Sequence, residues 1–439
     1  MFSSSSSKLF LFSLIFFVAI PPANAQEIAP KKYDLVYDLP FSGWMNSMNS
    51  SRLFEAPFDR TGYSALFFRS GKGMFHNYND SGKQTEYGLT SEAYQRLSAR
   101  TMLYGAAGYH ARREKKQGGS AFLNPDEMPF DLIDFDDMSK SEKKLEQYRL
   151  TGAAAHRLTD RFSIGGKMEY NAMNYARTKD LRHKNTILDM DLSTGFSYRA
   201  ASRFILGAHY RYRRYIEGIL FNTYSNTDRQ YKTLINFGAF YGKTEAFDQN
   251  GYTAKGEKNP YVDERHQVGI QLEYRLLPRM RLFNEIAFTS GNGYFGKRSS
   301  ASIVYTEHTV KELENRFLAI YEDHSYTHQL ELKAAMKRIN NFENSWRSET
   351  TAAGNTIYQY YGQNEVGVKS FATLSSAYTI TWGKSGYLPA WQLEAASHYE
   401  SRTIRSVLYP YFREQHLSSF TGCFGMTRHC QNRLCQVSL

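Results

Sequence analysis

Three stretches of this 439-residue chain gather side chains that could do chemistry. His324 and His328 flank Ser325 and share a face at i and i+4 spacing, supplying a hydroxyl nucleophile and a general base, which must come within hydrogen-bond reach of each other to work. Cys423, Cys430 and Cys435 all fall in the last 17 residues, beside His429. Thiolate and imidazole suit zinc, while three cysteines equally allow one disulfide and a free thiol. Asp131, Asp134, Asp136 and Asp137 cluster in a third stretch, and hard cations want clustered oxygen ligands. Their spacing is not that of an Asp-x-Asp-x-Asp-Gly loop, and a solvated acidic loop reads the same way. There is no His-Glu-x-x-His and no Gly-rich phosphate loop with its Lys and Ser or Thr. The expectation is therefore a non-enzymatic protein with no cofactor, the alternative being a rim-located hydrolase built on His324 and His328.

A fourth set of polar residues is larger and more regular. Lys167 and Glu169 alternate with Ile164, Met168 and Tyr170, and Asp189 and Asp191 with Leu188, Met190 and Leu192. His209, Arg211 and Arg213 alternate with Leu206, Tyr210 and Tyr212, Glu273 and Arg275 with Leu272, Tyr274 and Leu276, and Glu331 and Lys333 with Leu330, Leu332 and Ala334. Successive side chains of a strand point to opposite faces, so each stretch predicts a strand with one greasy and one charged face. A soluble sandwich would show the same alternation.

The turns decide between them. Arg96-Leu-Ser-Ala-Arg100, Arg157-Leu-Thr-Asp-Arg161, Arg199-Ala-Ala-Ser-Arg203 and Arg275-Leu-Leu-Pro-Arg279 each lie between two alternating stretches. Two strands and one connection of very variable length separate successive copies, so short turns gather at one end and long loops at the other. That asymmetry predicts an all-β, antiparallel transmembrane β-barrel of about 14 strands (12–16), with short periplasmic turns and long extracellular loops. The apolar set then faces lipid and the charged set lines the lumen, where it would tune the selectivity of a pore. Tyr198, Tyr210, Tyr212 and Tyr274 fall near strand ends, where an interfacial aromatic girdle belongs.

Residues 1–25 carry Lys8, an apolar run from Leu9 to Ile20 and Ala23-Asn24-Ala25, the pattern of a secretory signal peptide cleaved before Gln26. The roughly 414 residues that remain, at about 28 to 30 per strand with its loops, allow roughly 14 strands. Aromatics make up 15% of the chain, with 33 Tyr and 30 Phe, as aromatic belts require. The net charge of +11 is spread among many acidic residues, which argues against nucleic acid and leaves a basic lumen or contact with lipopolysaccharide. Residues 26–61 lack alternation and read as a periplasmic segment or a lumen plug, in which Trp44, Leu53, Phe54 and Phe58 need a dry place. Residues 62–418 read as the barrel and 419–439, where alternation stops, as a frameshifted or otherwise aberrant tail. Phe130, Leu132, Ile133 and Phe135 either pack over the barrel mouth or meet a partner. The excursion at 216–263 either projects a hairpin or folds it back as a constriction, Ala301–Thr309 and Arg316–Tyr321 read as two strands, and 341–355 reads as loop.

On these turns and strands the chain resembles Gram-negative outer-membrane β-barrels, specifically uncharacterised families that accompany TonB-dependent uptake systems. It is also similar to the fatty-acid transporter barrels, which have 14 strands and an N-terminal hatch with an Asn-Pro-Ala type motif. Asn49-Ser-Ser-Arg-Leu53 is the nearest counterpart here and lacks the Pro. The resemblance implies passage or capture of an unknown small solute in the outer membrane, or an accessory role beside a TonB-dependent receptor. A surface binding protein working through its extracellular loops is the remaining class.

Overall fold

The computed structural model describes residues 43–73, 78–134, 140–225, 228–383, 389–430 and 433–438, with side chains through residue 428. The leader and its cleavage site, the first part of the 26–61 segment, Phe135, Asp136 and Asp137, and the side chains of His429, Cys430 and Cys435 lie outside the described residues.

The strands are β1 (Arg60–Lys72), β2 (Lys83–Ser98), β3 (Thr101–Gln117), β4 (Gly119–Ser120), β5 (Asp131–Asp134), β6 (Ser141–Arg157), β7 (Phe162–Arg177), β8 (Arg182–Ala201), β9 (Phe204–Asn222), β10 (Lys232–Gly238), β11 (Tyr241–Ala246), β12 (Lys258–Leu277), β13 (Met280–Gly296), β14 (Val304–Glu322), β15 (Tyr326–Thr350), β16 (Thr356–Trp382), β17 (Trp391–Leu408), β18 (Tyr411–Cys430) and β19 (Arg433–Ser438). They form a 15-stranded antiparallel meander, β1-β2-β3-β6-β7-β8-β9-β12-β13-β14-β15-β16-β17-β18-β19, and a four-stranded sheet, β11-β10-β5-β4. In the meander β19 is a six-residue edge, which leaves fourteen long strands. Among the described residues no helix is long and apolar enough to cross a membrane.

The meander is curled. The insert between β3 and β6 accepts a hydrogen bond at Asp134 O from Tyr78, between β1 and β2, and an ion pair at Asp126 from Arg402 of β17. It also takes Lys143 of β6 and Lys369 of β16 on its carbonyls. One small insert can touch strands near both ends of the meander only if the sheet wraps around it. Among the described residues the first and last strands are not paired with each other.

The Arg-x-x-x-Arg repeat has a backbone cause. The N–H of the first arginine of one copy donates to the carbonyl of the second arginine of the copy before: Arg157 to Arg100 at 2.8 Å, Arg199 to Arg161 at 2.7 Å and Arg275 to Arg203 at 2.9 Å. Arg96 begins the series on Asp59 O and Glu322 ends it on Arg279 O. Each turn thus locks the register of the next hairpin, and register matters because a one-residue slip moves every side chain to the other face.

Outward residues make an apolar band, with Ile270 61% and Met336 67% exposed. Aromatics bound it on both sides. Phe204 with Tyr274 and Trp382 with Trp391 pack at the end of the short turns, and Tyr210 and Tyr212 with His266 at the other. Tyr274 and His266 are eight residues apart on β12, and at about 3.3 Å per residue and a tilt of about 40° that is roughly 20 Å of membrane normal.

Three expectations change. Residues 341–350 and 356–365 are strand, because β15 and β16 stay paired to Thr350 opposite Thr356; register shifts at Asn341/Phe342 and Ser345/Trp346 break the alternation and make the sequence look like loop. The two short strands expected at Ala301–Thr309 and Arg316–Tyr321 are one strand, β14. And β18 continues past residue 418, pairing with β17 as far as Arg428 opposite Trp391.

Residues 43–58 lie against the concave face. Trp44, Leu53, Phe54 and Phe58 are buried there, and Ser50–Glu55 is a 3-10 turn capped by the Asn49 side chain on Ser51 N–H. The segment runs over a lane of glycines: a Cβ on Gly165 would lie 2.6 Å from Ser50 and Ser51, on Gly195 2.4 Å from Asn49 and on Gly207 2.6 Å from Trp44. Asn49 Nδ2 donates to Phe196 O at 2.9 Å, Ala208 O at 3.1 Å and Gln271 Oε1 at 2.9 Å. Asn49→Leu keeps the volume and strands those acceptors, so the unfolding free energy should fall by about 2 to 4 kcal/mol. A urea titration of the protein in lipid vesicles reads this; an unchanged midpoint would show that these bonds do not hold the segment.

Candidate functional site

The alternating charged residues all project from the concave face, where they pair across neighbouring strands. Arg213 holds Asp189 with two bonds, at 2.9 and 3.1 Å, and Arg211 holds Asp191 at 2.6 Å. Glu169 meets Lys167 at 2.6 Å and Arg149 at 3.3 Å, and Glu331 meets Arg316 at 2.7 Å and Lys333 at 2.9 Å. Glu273 accepts from Trp44 Nε1 at 2.7 Å and lies 3.7 Å from Arg275. At the turns Arg96 ties down the N-terminal segment through Phe54 O, Ala56 O and Asp59, and Arg157 stacks over Phe54 at 4.4 Å. Arg100, Arg161, Arg203 and Arg279 are exposed at the turn tips, Arg279 bonding Asp323 and His324.

The other end is filled by the two long excursions. Both fold back: β5 of the first pairs with β10 of the second, and Phe122, Phe130, Leu132, Ile235 and Phe237 build an apolar core against inward Tyr175, Tyr215, Tyr261 and Phe295. The interior is thus apolar near this end, where the alternation rule predicts only charge. Buried amines hold the insert by its backbone, Lys143 Nζ on Ser120 O at 2.6 Å and Lys369 Nζ on Met128 O at 2.6 Å. Ser406 Oγ reaches Gly238 O at 2.9 Å, and the Phe237 carbonyl lies where a Cβ on Gly367 would be, at 2.8 Å. Asp131 is buried beside these amines, and burial pushes its carboxyl up to about 6, although the Ser120 hydroxyl, Lys369 and the Leu132 N–H favour the charged form.

Between the two fillings lies a polar cavity of about 220 Å³. Arg211, Arg213 and Arg265 face Glu312, Glu314 and Lys337 across it, and Glu127 of the insert closes one side. Of the residues singled out in the sequence it gathers Arg211 and Arg213, with Asp191 and Asp189 as their partners; Lys167, Glu169, Glu273, Arg275, Glu331 and Lys333 belong to separate ion pairs. Gln267, Glu312, Glu314 and Lys337 share the inward parity of their strands and were open to the same reading, whereas Glu127 belongs to a loop whose place only folding decides. A hydrogen-bonded chain joins the cavity to the N-terminal segment: Gln267 Nε2 to Glu314 at 2.8 Å, His209 Nε2 to Gln267 Oε1 at 3.4 Å, Gln271 Nε2 to His209 Nδ1 at 2.6 Å and Asn49 Nδ2 to Gln271 Oε1. Each link is consistent with a neutral His209 protonated on Nε2.

The other clusters come apart. His324 is bonded to Arg279 in the turn, while His328 is on the lipid-facing side, its Nδ1 2.7 Å from Tyr378 OH among Tyr321 and Tyr326. They do not converge on Ser325 as a nucleophile and base must. Asp131 bonds Ser120 and Asp134 bonds Arg177 at 2.9 Å, so neither is aimed at a shared cation. Cys423 is exposed on β18 as a free thiol, and among the described residues no group of three or more His, Cys, Asp and Glu could hold a metal ion.

Residues 51–439 match the model of a family of unknown function (DUF6850). No curated protein matches the chain. Among solved structures, the siderophore receptor PiuA from Acinetobacter baumannii is 10% identical, with a TM-score of 0.43 over 85% of this chain and 66% of that one. The outer membrane transporter YddB from Escherichia coli is 6% identical, with a TM-score of 0.36 over 80% and 62%. The TodX monoaromatic hydrocarbon channel is 10% identical, with a TM-score of 0.37 over 85% and 91%. This chain spans less than two thirds of the length of PiuA and YddB.

The raised Asp131 carboxyl gives the insert a pH dependence with a definite sign. The docked state binds the proton more tightly than an exposed aspartate, so this contribution to docking is fullest below about 4 and is lost as pH rises through about 6. The protection that the unsubstituted chain gives amides 119–134, relative to Asp131→Asn and after correction for intrinsic rates, should be larger at pH 5 than at pH 7.5. An advantage over Asp131→Asn that is equal at the two pH values would refute the assignment.

Proposed function

The chain belongs to the DUF6850 family, whose function is unknown, and from its own geometry we propose that it is a non-enzymatic outer-membrane β-barrel that passes or captures a small solute through a lumen closed at both ends. The observation that carries this reading is the polar cavity of about 220 Å³ between two fillings. Residues 43–58 act as the plug on the side of the short turns, which faces the periplasm, and the folded-back excursions close the extracellular side. The apolar band faces lipid and lipopolysaccharide. The cavity wall carries both signs of charge, which suits a solute bearing polar or charged groups and not a hydrocarbon.

The closures are of different kinds. The plug is held by the Asn49 amide bonds, by charge-assisted bonds from Arg96 and to Glu273, and by close backbone approach over the glycine lane. The extracellular filling has an apolar core and amine latches from β6 and β16. The hydrogen-bonded chain from Glu314 to Asn49 gives a solute in the cavity a physical contact with the plug, and that is where an accessory role beside a TonB-dependent receptor would act.

Single-channel recording in planar bilayers tests the proposal. The intact chain should be closed for most of the record. Replacing 119–134 and 232–246 each by a short Gly-Ser linker and deleting 43–58 in the same chain should give stable conductance steps, as unblocking both sides of the cavity requires. A doubly unblocked chain that folds and neither conducts nor swells solute-loaded liposomes would end the lumen reading.

A further inference from the structure

Beyond the apolar band β14 parts from β15. Their pairing begins at Thr306 opposite Glu343, while β15 and β16 stay paired to Thr350 opposite Thr356. The β15–β16 hairpin and the β13–β14 connection, joined by Tyr358 N–H donating to Ser300 O at 3.0 Å, form the two arms of a cleft of about 730 Å³. Tyr358, Tyr360 and Gly362, at alternate positions of β16, line one arm, and Arg298 and Glu307 the other.

Side chains complete the backbone that the parting exposes. Val304 N–H donates to Tyr360 OH at 2.8 Å, and Asn344 Nδ2 donates to Val304 O at 3.0 Å. Gln363 Nε2 bridges Glu307 Oε2 and Asn344 Oδ1, each at 3.1 Å. Trp346 meets Tyr358 edge-on at 5.3 Å and holds that ring in place. Arg298 lies over Tyr294 at 4.1 Å and 3.9 Å from Glu307. The amides and rings are therefore pre-set by bonds to the protein and face a space open to solvent.

This combination has a specific chemistry. Aromatic faces carry a negative quadrupole that attracts the C–H face of a sugar ring. The Tyr360 hydroxyl, which accepts from Val304, keeps its proton to donate, and the Gln363 Oε1 beside it can accept, as adjacent sugar hydroxyls require. Arg298 and Glu307 offset each other, so the cleft has no net pull on an anion or a cation. Gly362 leaves the floor open: a Cβ there would meet only Ser345 Cβ, at 4.0 Å. We propose that this cleft binds a neutral oligosaccharide outside the membrane, as a site separate from the lumen cavity and independent of whether the lumen conducts.

The full chain in detergent, titrated with neutral hexasaccharides of glucose, mannose, galactose and xylose, tests this by calorimetry and intrinsic fluorescence. At least one should bind, and Tyr360→Ala and Gly362→Phe should each weaken it about tenfold or more, or about 1.4 kcal/mol. Gly362→Phe fills the cleft without touching the Val304 bonds, so it remains decisive if Tyr360→Ala loosens the hairpin; the heat-dependent gel shift of a folded barrel certifies both variants. No binding by any neutral member up to about 10 mM, binding that Gly362→Phe leaves intact, or preference for charged polygalacturonate over every neutral sugar would each overturn the proposal.

Discussion

The constraint on which this structure depends is that backbone N–H and C=O groups cannot remain unpaired in hydrocarbon. It forces fourteen long strands into one continuous antiparallel ladder, and curling the ladder creates a concave face that no lipid can cover. The arginine turns serve the same ladder. Each passes a backbone hydrogen bond to the next hairpin, so a register chosen at one turn propagates around the sheet.

Once the outer face is apolar, pleating makes the inner face polar at mid-height, and those charges need partners. Some find them one strand away, as Arg213 does with Asp189 and Arg316 with Glu331, and others two residues along the same strand, as Lys167 does with Glu169 and Arg265 with Asp263. Such pairs, partly hydrated, mainly avoid the cost of isolated buried charge rather than adding stability. Where the chain places Tyr175, Tyr215, Tyr261 and Phe295 inward, water is a poor filling, and the folded-back excursions supply an apolar one. The concave side is accordingly layered: the N-terminal segment over glycines, a charged cavity and an apolar core.

The layering separates rigidity from adaptability. The closures bury side chains and satisfy the backbone, while the cavity keeps Glu312, Glu314 and Lys337 on a surface that a solute can reach. The parted β14 and β15 repeat the theme beyond the membrane, where tyrosines and amides complete the exposed strand and remain accessible. In both places groups needed to satisfy the fold also line a space open to a small molecule.

Strand alternation and the four arginine turns were enough to read the all-β class, the strand number and the two faces, because period-two patterning and turn spacing are local properties of a chain. The same parity placed Asp189, Asp191, Arg211 and Arg213 on the concave face. It could not say which of them share a site, since the cavity draws on strands separated by more than a hundred residues and on Glu127 from a loop. Nor could it show that Gly165, Gly195 and Gly207 make a lane for Asn49, or that β15 and β16 outrun their bulges, because a glycine reads alike in any strand and a register shift erases the alternation that marks one. Nearest-neighbour sterics set the pleat and its two faces along the chain; the closures and the cavity arose only when curling the sheet brought distant strands around the same inserts, and the cleft only where β14 left the ladder before β15 and β16 did.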